Sequence, residues 1–289
     1  STHWLFMPRG EAQTLAEARD YIQAHAHDYF VAIVDFHLPD APHGEAAHYV
    51  VNAGIPTIVF TGSLTSSAET LWELGIADYV HKDSLNSLPY VIWAVGRYLA
   101  NREIGILVVD DMNTMCQHVA QTLALQHFSV FSTTNAADAF KIVRQQPTIK
   151  IAIIDNYLES SNGINLTREL AEQKQGELFE IIGMSEGGLS TRFLKAGASD
   201  FLPKPFSNEE LLCRVNRSAE RIDNLMRLQN LSELKNHFLS MAAHDLRNPI
   251  AAIKAAAKSM AKPAVPTDRR ERALQMIHDN CDGMLGLLE

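Results

Sequence analysis

Between Ile104 and about Ala219, short apolar runs alternate with longer stretches whose apolar residues recur every three or four positions. Ile104 to Val109, Phe128 to Ser132, Ile149 to Ile154 and Phe179 to Met184 read as strands. A segment ending near Gln126, then Ala136 to Gln145 and Gly163 to Gln173, read as helices. Nearly continuous apolar strands are buried on both faces, so the pattern predicts an α/β fold: a doubly wound parallel sheet with helices on each side. Such sheets collect their chemistry at the carboxyl ends of the strands. Asp110, Asp111, Asp155, Ser185 and Lys204 all fall at those ends. Clustered carboxylates repel one another unless a cation lies between them, and an all-oxygen set of this kind suits Mg²⁺. One carboxylate can then attack a phosphoryl group while the metal and a lysine neutralise its oxygens.

The same pattern occurs earlier in the chain, offset by about 120 residues. Val31-Ala32-Ile33-Val34-Asp35 parallels Ile151-Ala152-Ile153-Ile154-Asp155, and the run from Gly75 to Lys82 parallels Gly197 to Lys204. Lys82 follows Asp35 by 47 residues and Lys204 follows Asp155 by 49. An acidic pair equivalent to Asp110 and Asp111 would lie about ten residues ahead of Ser1, so Ser1 to Met7 reads as the second strand of a copy without its first strand and helix.

From Asn208 to about Ala261 there is no glycine and a single proline, Pro249, which predicts one long helix, kinked at that proline just past His244. Leu211, Val215, Ser218, Ile222 and Leu225 form one heptad stripe. Leu231, Leu234, Phe238 and Met241 form another, displaced from the first as at a coiled-coil stutter. His244 and Asn248 lie one turn apart on this helix, with Asp245 about 100° round the axis. The carboxylate is placed to hold the Nδ1–H of His244, leaving Nε2 as a nucleophile for phosphorylation. Lys262 to Asp268 reads as a turn and Arg269 to Leu288 as a second helix, and two such hairpins cover their apolar faces best as a dimeric four-helix bundle.

The chain has 289 residues, enough for about two or three domains, with 46% hydrophobic and 20% charged residues. Its net charge of −9, with no basic stripe, argues against wrapping a nucleic-acid backbone. Cys116, Cys213 and Cys281 are too scattered for a disulfide framework or a zinc site. No apolar run is long enough to span a bilayer, and a cytoplasmic location is expected.

On these residues the region from Ile104 to about Ala219 resembles a response-regulator receiver domain of the flavodoxin-like type. The resemblance implies that Asp155 accepts phosphate and that Asp110, Asp111 and Asp155 hold Mg²⁺ with the carbonyl of Tyr157. It further implies that Ser185 and Lys204 contact the phosphoryl group, that Phe201 is an aromatic switch, and that the Lys204–Pro205 bond is cis. Asp35, Thr61, Tyr79 and Lys82 match the acceptor, hydroxyl, switch and lysine positions in the first copy. Asp83 stands there where the family prefers proline, and a structural or regulatory role is expected for that copy.

The stretch from Asn236 to Ile250, with His244-Asp245-Leu246-Arg247-Asn248-Pro249 in it, resembles the H-box of sensor histidine kinases, with Asp and Asn where Glu and Thr are common. By that resemblance His244 takes phosphate from ATP bound to a kinase domain outside these residues, Asp245 assists as base, and Asn248 positions water for dephosphorylating a partner regulator. The expected divisions are a truncated receiver at 1–103, a receiver at 104–219, a signalling helix at 220–236 and a dimerisation and phosphotransfer domain at 237–289. A homodimer, an ATP-binding kinase domain and a downstream response regulator are the expected partners. The alternative is a dimeric scaffold that reports Asp155 phosphorylation without using His244. The tandem arrangement also resembles the input half of certain receiver–receiver diguanylate cyclases.

Overall fold

The computed structural model describes residues 10–62, 68–82, 86–159, 161–260 and 266–286. The expected strand from Ser1 to Met7 and the turn residues 262–265 lie outside these. The chain divides into two units, Ser1–Asp223 and Asn224–Glu289.

The first unit opens with α1 (Leu15–His25), β1 (Ala32–Asp35), α2 (Glu45–Asn52), β2 (Thr57–Thr61), α3 (Ala68–Glu73), β3 (Asp78–His81) and α4 (Ser87–Asn101). β1, β2 and β3 form a parallel sheet in that order. Next come β4 (Gly105–Val109), α5 (Asn113–Ala124), β5 (Ser129–Thr133), α6 (Ala136–Gln145), β6 (Ile149–Asp155), and the short pair β7 (Tyr157–Leu158) and β8 (Ser161–Asn162). α7 (Gly163–Gln173), β9 (Glu180–Ser185), α8 (Ser190–Lys195) and β10 (Asp200–Pro203) complete a five-stranded parallel sheet in the order β10-β9-β6-β4-β5. That is the flavodoxin-like order, 2-1-3-4-5 in sequence terms. Ile151, Ala152, Ile153 and Ile154 of the central strand are fully buried, as a strand with helices on both faces must be. Asn135 and Asn162 cap α6 and α7 by accepting the amides of Asp138 and Ile164, which fixes where each helix starts.

A polar seam joins the two sheets. Asn101 Nδ2 donates to the Gln126 carbonyl at 2.9 Å, and Gln126 Nε2 donates to the Ala77 carbonyl at 3.0 Å. Asn216 Nδ2 donates to Gln126 Oε1 at 2.9 Å, and Arg97 bonds both Asn101 and Asp223. Phe30 and His127 stack with ring centroids 4.2 Å apart.

α9 (Asn208–Met260) runs through Pro249 without ending, and α10 is Thr267–Leu285. The stripe of α9 carrying Leu211, Val215, Ser218 and Ile222 is buried, and Arg214 and Arg221 pair with Asp200 and Glu180 of the five-stranded sheet. It therefore covers that sheet. Further along α9 the second stripe, Leu231, Leu234, Phe238 and Met241, is exposed. In the second unit Leu228, Leu231, Leu234, Phe238, Met241 and Ile250 are exposed, while Ala256 and Ala273 are buried. No helix among the described residues is long and apolar enough to cross a membrane.

Candidate functional site

Parallel pairing brings the strand ends to one edge of the five-stranded sheet. Its register sets Val109 beside Ile154, Asp155 beside Met184, and Ser185 beside Pro203, so Asp110, Asp155, Ser185 and Lys204 follow one another across the sheet. Lys204 Nζ lies 2.6 Å from Asp110 Oδ2 and 2.8 Å from Asp155 Oδ1. Asp110 Oδ1 accepts the Met112 amide at 2.9 Å, and Asp155 Oδ2 accepts the Tyr157 amide at 2.7 Å. The second Asp155 oxygen, Oδ1, is buried against the Lys204 ammonium. The Lys204–Pro205 bond is cis.

Burial pushes the Asp155 carboxyl above its ordinary range, and Asp110 adds to this, while Lys204 and the Tyr157 amide pull it back down. Burial alone would lower Lys204, but its contacts with Asp110 and Asp155 outweigh it and hold the ammonium above its usual value. The site is a buried cation shared between two carboxylates.

The remaining expected site residues are less engaged. Asp111 is exposed, and so is the Tyr157 side chain. The Ser185 hydroxyl is fully buried and donates to the Glu186 carbonyl at 3.1 Å rather than facing Asp155. Phe201 packs against Phe193 with centroids 5.7 Å apart. Among the described residues, no three acidic, histidine or cysteine side chains already surround one point. Even so, the donor chemistry of Asp110, Asp111, Asp155 and a backbone carbonyl is all hard oxygen, so the residues fit Mg²⁺.

One contributor has no signal in the hydrophobic pattern. A Cβ on Gly163 would stand 1.8 Å from the Asp155 carbonyl oxygen, so only glycine lets α7 begin directly against the strand that carries Asp155. Its place just after an asparagine cap, eight residues past the acid, is the one clue in the sequence.

The three-stranded sheet repeats this layout in its own register, with Asp35 beside Phe60 and Thr61 beside His81. Lys82 pairs with Asp35, and its amide donates to the Thr61 carbonyl at 2.8 Å, as the Lys204 amide does to that of Ser185 at 3.0 Å. The pair is more open: the Asp35 side chain is 33% exposed against 3% for Asp155. The Tyr79 hydroxyl donates to Glu209 on α9 at 3.3 Å.

In the second unit His244 is exposed, with Nδ1 3.2 Å from Asp245 Oδ1. Asn248, one turn on, is exposed as well.

A receiver-type α/β fold with acids and a lysine at its carboxyl edge defines the class. Residues 106–216 match the response regulator receiver domain family, and residues 234–289 match the His Kinase A (phospho-acceptor) domain family. The receiver match covers the five-stranded sheet and not the three-stranded one. The chain is 31% identical over 110 residues to a chemotaxis protein CheY homolog of Campylobacter jejuni, covering 37% of this chain and 85% of that protein. It is 27% identical over 153 residues to the two-component response regulator PprB of Pseudomonas aeruginosa, covering 52% of this chain and 56% of that protein. The chain thus spans little more than half of that relative's length. A crystal structure described as a two-component system response regulator/GGDEF domain protein superposes with a TM-score of 0.66 at 38% identity, covering 73% of this chain and 86% of its own. The chain belongs to the response regulator receiver family. Its receiver is followed by a His Kinase A domain, a pairing that indicates two-component signal transduction and the histidine kinase family.

Proposed function

We propose that the chain is the regulatory and phospho-acceptor part of a histidine kinase, in which His244 is phosphorylated and Asp155 is the receiver's acceptor. The observation that carries this reading is the Asp110–Lys204–Asp155 cluster, set in a receiver that one continuous helix, α9, joins to the His244–Asp245 pair.

An Asp155 oxygen attacks the phosphorus of a phosphohistidine or a small acyl phosphate. The P–N or P–O bond breaks, and the leaving group takes the electron pair, with a proton in the case of histidine. Asp110, Asp111, Asp155 and the Tyr157 carbonyl would hold Mg²⁺, which when bound supplies positive charge to the phosphoryl oxygens. Lys204 and Ser185 serve those oxygens too, for which Ser185 turns its hydroxyl away from the Glu186 carbonyl. Phe201 follows that hydroxyl as the aromatic switch.

On the helical side, Asp245 orients the imidazole through Nδ1 and leaves Nε2 to attack the γ-phosphoryl of ATP held by a kinase domain, in the same protein or in trans. Asn248 positions water for the reverse, phosphatase direction. The exposed stripe from Leu228 to Met241 is covered by a second copy in a four-helix bundle. The three-stranded unit is a degenerate receiver with a regulatory or structural role. Its shared register supports this, as does the 73% coverage by one solved structure at 38% identity, a span much longer than residues 106–216. A cytoplasmic location and a downstream response regulator complete the reading.

Labelled ATP tests it. With a histidine-kinase ATP-binding domain added, acid-labile, base-stable label should appear on His244 and be lost in His244→Gln. The chain without that domain should take up none, and label on His244 in its absence would contradict the division of labour.

A further inference from the structure

Between Asn208 and Asp223, α9 is held from two sides by contacts of opposite charge. Its arginines Arg214 and Arg221 pair with Asp200 at 2.7 Å and with Glu180 at 3.3 Å, both acids of the five-stranded sheet. Its acids meet the other sheet and α4: Glu209 accepts the Tyr79 hydroxyl at 3.3 Å, Glu220 accepts the Trp93 indole N–H at 2.6 Å, and Asp223 pairs with Arg97. Two residues, about 200° of helix, separate Arg221 from Asp223, so the two sets lie on different sides. The buried stripe of Leu211, Val215 and Ile222 lies between them. A turn of α9 about its own axis, in either direction, therefore breaks contacts on both sides.

Arg97 makes the acidic side the harder one to part. Its side chain is 5% exposed, its Nε donates to Asn101 Oδ1 at 2.7 Å, and the fully buried Asn101 donates in turn to the Gln126 carbonyl at 2.9 Å. The guanidinium is thereby fixed on α4 and tied to the receiver. Among the described residues Asp223 is the acid that pairs with it. Withdrawing that carboxylate leaves a buried cation without its counter-charge, which costs far more than parting an exposed pair. Asp223 is also the last residue of the first unit, and past it α9 continues as one helix that carries His244.

We propose that Arg97 is a positioning residue for His244: through Asp223 it sets the rotation of α9 about its own axis where that helix leaves the receiver. This gives the three-stranded unit a task that needs no phosphoryl chemistry at Asp35. It holds one side of α9 while the five-stranded sheet, whose acceptor is Asp155, holds the other. A change at Asp155 then reaches α9 as a turn against a fixed point. The link to His244 rests on its reading as a phospho-acceptor, while the clamp on α9 does not.

Amide hydrogen exchange of the full chain, followed by mass spectrometry of α9 peptides, reads the clamp. Arg97→Met and Asp223→Asn should each speed exchange over residues 219–227 by about tenfold or more, and the double variant should exchange no faster than the faster single one. Lys141→Met, which removes an exposed pair on α6, should leave this exchange unchanged. Melting curves check that each variant is folded. Labelling of His244 by an added ATP-binding domain, with and without prior acetyl phosphate and Mg²⁺, reads the positioning. The two rates should differ by about fivefold or more in the unsubstituted chain and become equal in Arg97→Met and Asp223→Asn. Unchanged exchange in both variants, or additive effects in the double variant, overturns the clamp. A ratio that the variants leave at its original value, or that is already one in the unsubstituted chain, overturns the positioning role. Absence of label on His244 in every chain contradicts its reading as an acceptor instead, and exchange then decides the clamp alone.

Discussion

Asp155 is 2% exposed and shares the Lys204 ammonium with Asp110. Lys204→Ala removes the cation between two buried acids, so it should slow phosphoryl uptake by about a hundredfold and destabilise the receiver by roughly 3 kcal/mol, read by phosphorylation rate and urea unfolding. Gly163→Ala forces a methyl group onto the Asp155 carbonyl and should cost about 3 kcal/mol or more in the same unfolding measurement. Asp110, Asp155 and Lys204 were legible because each ends an apolar run, and a parallel sheet must bring such ends together. Gly163 and the inward turn of the Ser185 hydroxyl were not, since both depend on how closely separate segments approach.

At the level of elements, the strand–helix alternation carried most of the five-stranded sheet, and α6 and α7 have the limits that their apolar spacing and asparagine caps suggest. The first stripe of α9 shows what spacing alone misses. Residues 211–222 repeat every three or four positions because they pack on a sheet, a pattern a coiled coil shares, and only the surroundings distinguish the two. The seam between the sheets was invisible in sequence because its members, Asn101, Gln126 and Asn216, are ordinary polar residues until folding buries them. Gln126→Ala leaves the Ala77 carbonyl and the Asn216 amide without partners and should cost about 2–3 kcal/mol in thermal unfolding. Asp78 gives the same interface a pH dependence. Its folded value of about 6 lies above the ordinary aspartate value of 3.8, so the folded state holds the proton more tightly. Its stabilising effect is complete below about 3.8 and is lost as pH rises through about 6. Tyr79, Tyr90 and Glu209 are the groups that act on it. Asp78→Asn should therefore gain stability relative to the unsubstituted chain at pH 7.5 and lose that advantage towards pH 5, seen in melting curves at the two values.

Across the whole molecule, the exposed apolar stripe on α9 and the His244–Asp245 pair belong to the same unit, so in the proposed reading phosphorylation and assembly share one element. Leu231→Glu combined with Phe238→Glu should convert a dimer into a monomer at micromolar concentration, measured by light scattering, while the circular dichroism of the receiver is retained. The central claim is that phosphoryl chemistry runs through Asp155 as well as His244. The direct measurement is incubation of the chain with Mg²⁺ and acetyl phosphate, followed by borohydride trapping and peptide mass mapping. One modified residue, Asp155, is predicted, with none in Asp155→Asn and little at Asp35. Uptake by Asp155→Asn at the unsubstituted rate, or trapping at Asp35 in preference to Asp155, would contradict it.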